Sequence, residues 1–339
     1  MEFTFPAFSD IQAGRTRSVY NPQKPSTRYI VPVDTLFQNL LNALQWGSFY
    51  SLIALGYTLV YGVLRLINFA HGDIVMVGAY IAFFIASALL GKYAFFPAGM
   101  PGWAVLALTI PLTMVLTSVV GVTLERIAYR PLRRKGANRL YVVITALMAG
   151  LILENGNLLL LGASRKKFPE LIDKVVYQIG PVSVTNLKIG VILTSIISFV
   201  ILHLIITRTK AGMAMRAISY DKFAVPLMGI PIDRIIVFTF VLGSSMAGLA
   251  GILFALSYPI LDPYMGISIG WKAFIAAVVG GIGDIRGAFA GGFILGITEI
   301  MVVAFFPSSY RDLISFTILL LILTVKPTGL FGMPKTTKI

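Results

Sequence analysis

The chain has 339 residues, 57% hydrophobic and 12% charged; a globular domain in water carries about 25% charged residues, so an ordinary soluble protein is excluded and lipid is the main solvent. A formal net charge of +14 would suggest nucleic acid in a soluble protein. Here the basic residues sit mostly in short segments between apolar runs, the pattern of topology control and of contact with anionic headgroups, so no nucleic-acid partner is expected.

The first 35 residues form a polar, basic extension. They lack the apolar core and small-residue cleavage site of a signal peptide, so the extension is expected to be retained. Apolar runs near 20 residues, the length that crosses about 30 Å of hydrocarbon, follow at about 36–64, 70–91, 103–124, 140–161, 187–207, 235–257, 268–282, 287–306 and 312–326. The seventh and ninth are short, and the first two read as one unit broken in the middle. The fold class expected is an all-α integral membrane protein with about 8–9 spanning or half-spanning helices. Its body occupies residues 36–332, followed by a short tail, 333–339.

Sidedness follows from the connections. Glu125–Arg139 holds six basic residues against one acidic, and Arg208–Arg234 holds five against two. Both are expected inside, which makes 162–186 external despite Arg165, Lys166 and Lys167. Counting onward places the turn GGIGDIRG and the segment after Lys326 inside. Counting back through three spans places the N-terminus outside, whereas Arg15, Arg17, Lys24 and Arg28 favour the inside; the two agree only if one apolar segment before residue 91 fails to cross.

Four groups of residues carry the chemistry. Arg65, Asn68, His71 and Asp73 fall within nine positions inside apolar sequence, where each charge costs roughly 2.5–3.5 kcal/mol on insertion scales and must face protein, water or a boundary. Asn68, His71, Gly72 and Asp73 read as a helix break, with Asn68 or Asp73 capping a helix that restarts after Gly72, or as lining of a transport path. Two histidines in the whole chain, His71 and His203, are too few for a histidine metal site, no cysteine is available as a ligand, and no nucleophile adjoins His71 and Asp73; neither a metal nor catalysis is expected. The loop 208–234 carries a short helix over Ala211–Ser219 that displays Arg216 and Tyr220, then Pro226, Gly229 and Pro231; its apolar content suggests docking. Gly280, Gly281, Gly283, Asp284 and Gly287 form a tight turn between helices, without the strand and Lys-Ser or Lys-Thr of a phosphate loop. No ATP site and no cofactor are expected in this chain. Glu154 and Glu299 could each touch substrate but read first as solvated or paired carboxylates, and His203 reads as a boundary residue. Gly243, Ala247 and Gly251, and again Gly283, Gly287 and Gly291, recur every four residues and allow close helix approach, chiefly within one subunit.

Taken together, these motifs resemble the permease subunits of high-affinity branched-chain amino-acid ABC importers, the Liv type. The likeness runs from Leu36 to Gly332 and rests on GYTLVYGVLRLINFAHGD, ERIAYRPLR, GMAMRAISYDKFAVPLMGIPIDRIIVFTFVLGSSMAGLAG, DPYMG, WKAFIAAVVGGIGDIRGAFAGG and KPTGLFG, in that order. The resemblance implies an importer of two permeases, two cytoplasmic ATPases and an external or periplasmic substrate-binding protein in a bacterial-type inner membrane. It implies an ATPase-coupling role for Gly212, Arg216, Asp221, Gly229 and Pro231, and no enzymatic activity in the permease itself. The extension before Leu36 exceeds the family pattern, and Asp73 stands where some relatives have Glu. Urea or short amides as cargo, or an ion-coupled transporter working through His71, Asp73 or Glu299, are the alternatives.

Overall fold

The computed structural model describes residues 33–91 and 100–332; nearly all of the extension and the tail after Gly332 lie outside them. The helices in order are α1 (Val33–Leu64), α2 (His71–Leu89), α3 (Gly102–Leu124), a π-helical turn (Glu125–Tyr129), α4 (Arg130–Arg134) and α5 (Arg139–Leu161). After them come α6 (Asn186–Arg208), α7 (Lys210–Tyr220), α8 (Ala224–Leu227), α9 (Ile232–Ser257), α10 (Met265–Gly280), α11 (Ile285–Phe305) and α12 (Arg311–Val325). Among the described residues eight helical segments are long and apolar enough to span a membrane, the last being Ser308–Val325, in which a 3-10 turn (Ser308–Tyr310) runs into α12; α10 is a shorter apolar helix. The protein is a multi-pass membrane protein.

α1 is the axis. It packs along α11, α9 and α10, while α2 lies against α9, α3 and α10. α3, α5, α6 and α12 form the periphery, and their outer faces expose Leu, Ile and Val, as lipid contact requires. Small residues decide the inner packing. Thr109, Thr113, Thr117 and Gly121 recur every four residues on the buried face of α3, which meets α9. The stripe of Gly243, Ala247 and Gly251 is likewise buried within this chain. Gly283 departs from the expected second stripe: it lies in the turn before α11, while Gly287 meets Gly280.

The two ends differ in charge. At one, Gln38 of α1 accepts from the backbone N–H of Ser183 at 2.9 Å, and a hairpin pairs β2 (Val176–Ile179) with β3 (Val182–Thr185). A second ribbon there pairs β1 (Lys166–Lys167) with β4 (Ile260–Leu261). Arg165 bonds Asp262 at 2.9 Å and Lys167 meets Glu170, so two of the basic residues of 162–186 are paired locally. At the other end gather the basic loops, the turn before α11, the last turn of α1 and the segment whose Leu330 and Phe331 N–H groups bond the carbonyls of Val279 and Gly280. By the excess of Lys and Arg that second end is cytoplasmic. The start of α1 therefore lies on the external side, as backward counting predicts, and both apolar segments before residue 91 are limbs of the bundle.

Candidate functional site

α1 ends at Leu64 because Arg65 turns into the left-handed region, with φ 55°, a conformation costing an L-residue about 1–2 kcal/mol. Residues 66–70 are not helical, and α2 starts at His71. A Cβ on Gly56 would lie 2.2 Å from His71 Nε2. Gly56 is two turns, about 12 Å at 1.5 Å per residue, before the end of α1, so α2 begins deep in the bundle. The break expected at Asn68–Asp73 is present, but its chemistry differs. Ala70 is the N-cap and no side chain caps the helix; the helix restarts before Gly72. Asn68 instead accepts a 2.6 Å hydrogen bond from the Tyr129 hydroxyl, and the His71 ring packs edge-on to Tyr57 at 4.7 Å.

Gly72 lets two helix starts meet. A Cβ there would come within 2.5 Å of the Gly266 carbonyl and 2.8 Å of Gly270 Cα. Beside this crossing lies a cleft of about 300 Å³ whose wall includes Tyr57, Phe69, Asp73, Glu154, Gly270 and Trp271. Asp73 Oδ1 and Glu154 Oε2 are buried with no hydrogen-bond partner. Glu154, expected to be solvated or paired, is instead buried with an unpartnered oxygen and lines the same cleft as Asp73. Gly266, Gly270, Trp271 and Tyr129 were missed as parts of this site, since only the fold brings them to the break.

The loop 208–234 has two sides. α7 is capped by Thr209, whose hydroxyl accepts from the Gly212 N–H at 3.1 Å. Its Gly212, Ala214, Met215 and Ile218 are buried, and the helix packs on α6, α1 and α9. Arg216 donates back to the carbonyl of Ile206. Asp221 accepts from the N–H groups of Phe223 and Ala224 and so turns the chain after α7. Beyond it Phe223, Leu227 and Met228 are exposed, Leu227 by 89%, and Gly229 holds φ +74° with open space around it. Pro231 precedes α9.

Immediately after this loop, Asp233 is gripped by Arg130, Arg133 (2.6 Å) and Arg134 (2.8 Å), and Arg133 also meets the buried Glu125 at 3.1 Å. The π turn and α4 are thereby tied to the base of α9. In the turn before α11, Gly281 and Gly283 have positive φ, and Asp284 accepts from the Arg286 and Gly287 N–H groups. Glu299 is fully buried and paired, as expected: it accepts from the Tyr50 hydroxyl at 2.8 Å and from Arg311. Lys272 Nζ lies 2.9 Å from its other oxygen and 2.6 Å from Asp312. The first of these is an ionic contact poorly angled for a hydrogen bond. The loop 208–234 and the turn before α11 share the basic end, while Asn68–Asp73 lies within the bundle.

A family described as branched-chain amino acid transport system / permease component matches residues 39–323. The high-affinity branched-chain amino acid transport system permease protein LivH of Escherichia coli K12 is 38% identical over 308 residues, covering 89% of this chain and 97% of that one. The corresponding protein BraD of Pseudomonas aeruginosa is 39% identical over 307 residues, with the same coverage. A probable branched-chain amino acid transport permease of Methanocaldococcus jannaschii is 29% identical over 308 residues, 86% of this chain and 91% of that one.

Proposed function

The chain belongs to the branched-chain amino acid transport permease family, and on that premise we propose that it forms one half of the membrane path of an ATP-driven importer for branched-chain or other neutral amino acids. Its partners are a second, homologous permease in the same bacterial-type inner membrane, two cytoplasmic ATPases and an external substrate-binding protein. ATP is hydrolysed by the partners, and this chain carries no covalent chemistry.

The observation that carries the coupling role is the loop 208–234. One side of α7 is anchored in the bundle, while Phe223, Leu227 and Met228 stand exposed at the basic end, an apolar set rimmed by charge that suits a docking partner. Because α7 packs on α1 and α9, a displacement of the loop is passed to the helices that hold the break at 65–70. α1 also touches the start of α2 and the turn before α11: Gly56 meets His71, and Gly62 meets Gly283. ATP binding to the partners then tilts these helices and opens the path alternately outward and inward, with selection of cargo made largely by the binding protein.

The deciding experiment is uptake into ATP-loaded liposomes holding the whole assembly, with leucine, isoleucine, valine and urea supplied outside. ATP-dependent uptake of the amino acids is expected. Uptake that persists without the ATPase, or that an ionophore abolishes, overturns the reading in favour of an ion-coupled carrier; uptake of urea alone overturns the cargo.

A further inference from the structure

We propose that the cleft beside the start of α2 is a binding site for the ammonium group of an amino acid, received by Asp73 and Glu154; the proposal rests on the transport reading above and names what the path recognises. Asp73 and Glu154 are 7% and 6% exposed, and each keeps a carboxylate oxygen without a hydrogen-bond partner. Both line the same cleft. A buried polar atom left unpaired is costly, and a buried carboxylate more so. Two of them around one space ask for a positively charged donor.

The architecture holds both groups at the cleft. A Cβ on Gly150 of α5 would lie 2.4 Å from Asp73 Oδ2, and one on Gly266 of α10 would lie 2.9 Å from Oδ1. Asp73 is thus fitted between two glycines that leave it room. Glu154 stands one helical turn after Gly150 and shares its face of α5.

The donor set selects among cations. An ammonium offers three N–H donors, and Tyr57, Phe69 and Trp271 line the same cleft, aromatic groups of the kind that attract a cation. A calcium ion would need six to eight oxygen ligands, more than two carboxylates in an aromatic wall supply. Leu147, Met148 and Leu151 complete an apolar rim that suits an aliphatic side chain, and about 300 Å³ matches the small end of ligand pockets. The two carboxylates repel an anion, so the carboxylate of the cargo points away from them.

The test is equilibrium binding of radiolabelled leucine to the purified full assembly without the external binding protein. The competitors are 3-methylbutylamine, which keeps the amine, and 4-methylpentanoate, which keeps the acid. The expected result is competition by the amine at least tenfold stronger than by the acid, with Asp73→Asn and Glu154→Gln each weakening leucine and amine binding about tenfold. Gly150→Ala, which pushes on Asp73, should weaken both as well. Equal competition by the acid, no binding, or wild-type binding by both variants overturns the proposal. Glu154→Gln, on the peripheral α5, keeps the test open should Asp73→Asn fail to assemble, and the thermal unfolding midpoint of each variant separates lost binding from lost fold. ATP-driven leucine uptake by the wild-type assembly is measured in parallel: uptake without amine preference in the cleft sinks this proposal alone, and absence of uptake sinks the transport reading itself.

Discussion

Buried carboxylates occur in two settings in the bundle, and their surroundings are opposite. Glu299 is enclosed by Tyr50, Lys272 and Arg311, with Asp312 completing a set of two cations and two anions; Arg311 also lies over the Trp46 ring at 5.4 Å. These contacts link α1, α10, α11 and α12. Asp73 and Glu154 have no such company and face a cleft. A carboxylate matched by counter-charges fixes helices against one another, whereas carboxylates without a counter-charge leave binding capacity for something that arrives. The contrast identifies the first as architecture and the second as a site, although sequence alone offers the same signal for both, a carboxylate in an apolar run.

The comparison is open to direct attack. Glu299→Ala leaves Arg311 and Lys272 without their shared partner, and loss of about 3 kcal/mol is expected from breaking a buried pair, read as a lowered unfolding midpoint of the purified chain in detergent. Asp73→Asn, which removes a charge that has no partner, should shift the same midpoint by less than about 1 kcal/mol; equal damage from the two variants would erase the distinction. Gly72→Ala comes next: its methyl would sit 2.5 Å from the Gly266 carbonyl, forcing α2 and α10 apart at about 2 kcal/mol and reducing uptake along with stability. Gly229→Leu meets open space but must hold φ +74°, costing about 1–2 kcal/mol locally; hydrolysis by the ATPases should continue while uptake falls, and normal transport by this variant refutes the docking role of the loop. The smallest effect belongs to Asp233→Asn. Its three arginines lie near solvent, so the change should be about 1 kcal/mol or less and should shrink further at high salt, as a salt series of unfolding midpoints would reveal.

Much of this was legible in the chain. Each expected span corresponds to an observed helix, because uninterrupted apolar sequence of about 20 residues has few other stable forms in lipid. The boundaries moved where local chemistry intervened: α10 runs from Met265 to Gly280 rather than 268–282, since Gly281 takes positive φ and ends it. The ribbons formed by 166–167, 176–179, 182–185 and 260–261 were not anticipated, because their strands are too short for a period-two pattern to declare itself. The break at Arg65–Ala70 was visible as polar residues in an apolar run, yet capping by Asn68 or Asp73 was not what the fold chose. Tyr129, arriving from the π turn, took Asn68 as its acceptor.

What the sequence determined by itself was the solvent, the number and order of the helices and the family. The solvent and the helices follow from composition and run length and the family from the order of its motifs, all of them local or additive along the chain. What tertiary structure alone decided was which polar groups find one another. Glu299 became a satisfied anchor because Lys272, Arg311 and Tyr50 converge on it from three other helices. Asp73 and Glu154 became a cleft because α5 and α10 present glycines where side chains would otherwise have filled the space. Pairing and vacancy depend on distances between residues tens to hundreds of positions apart, and no pattern read along one strand of sequence contains those distances.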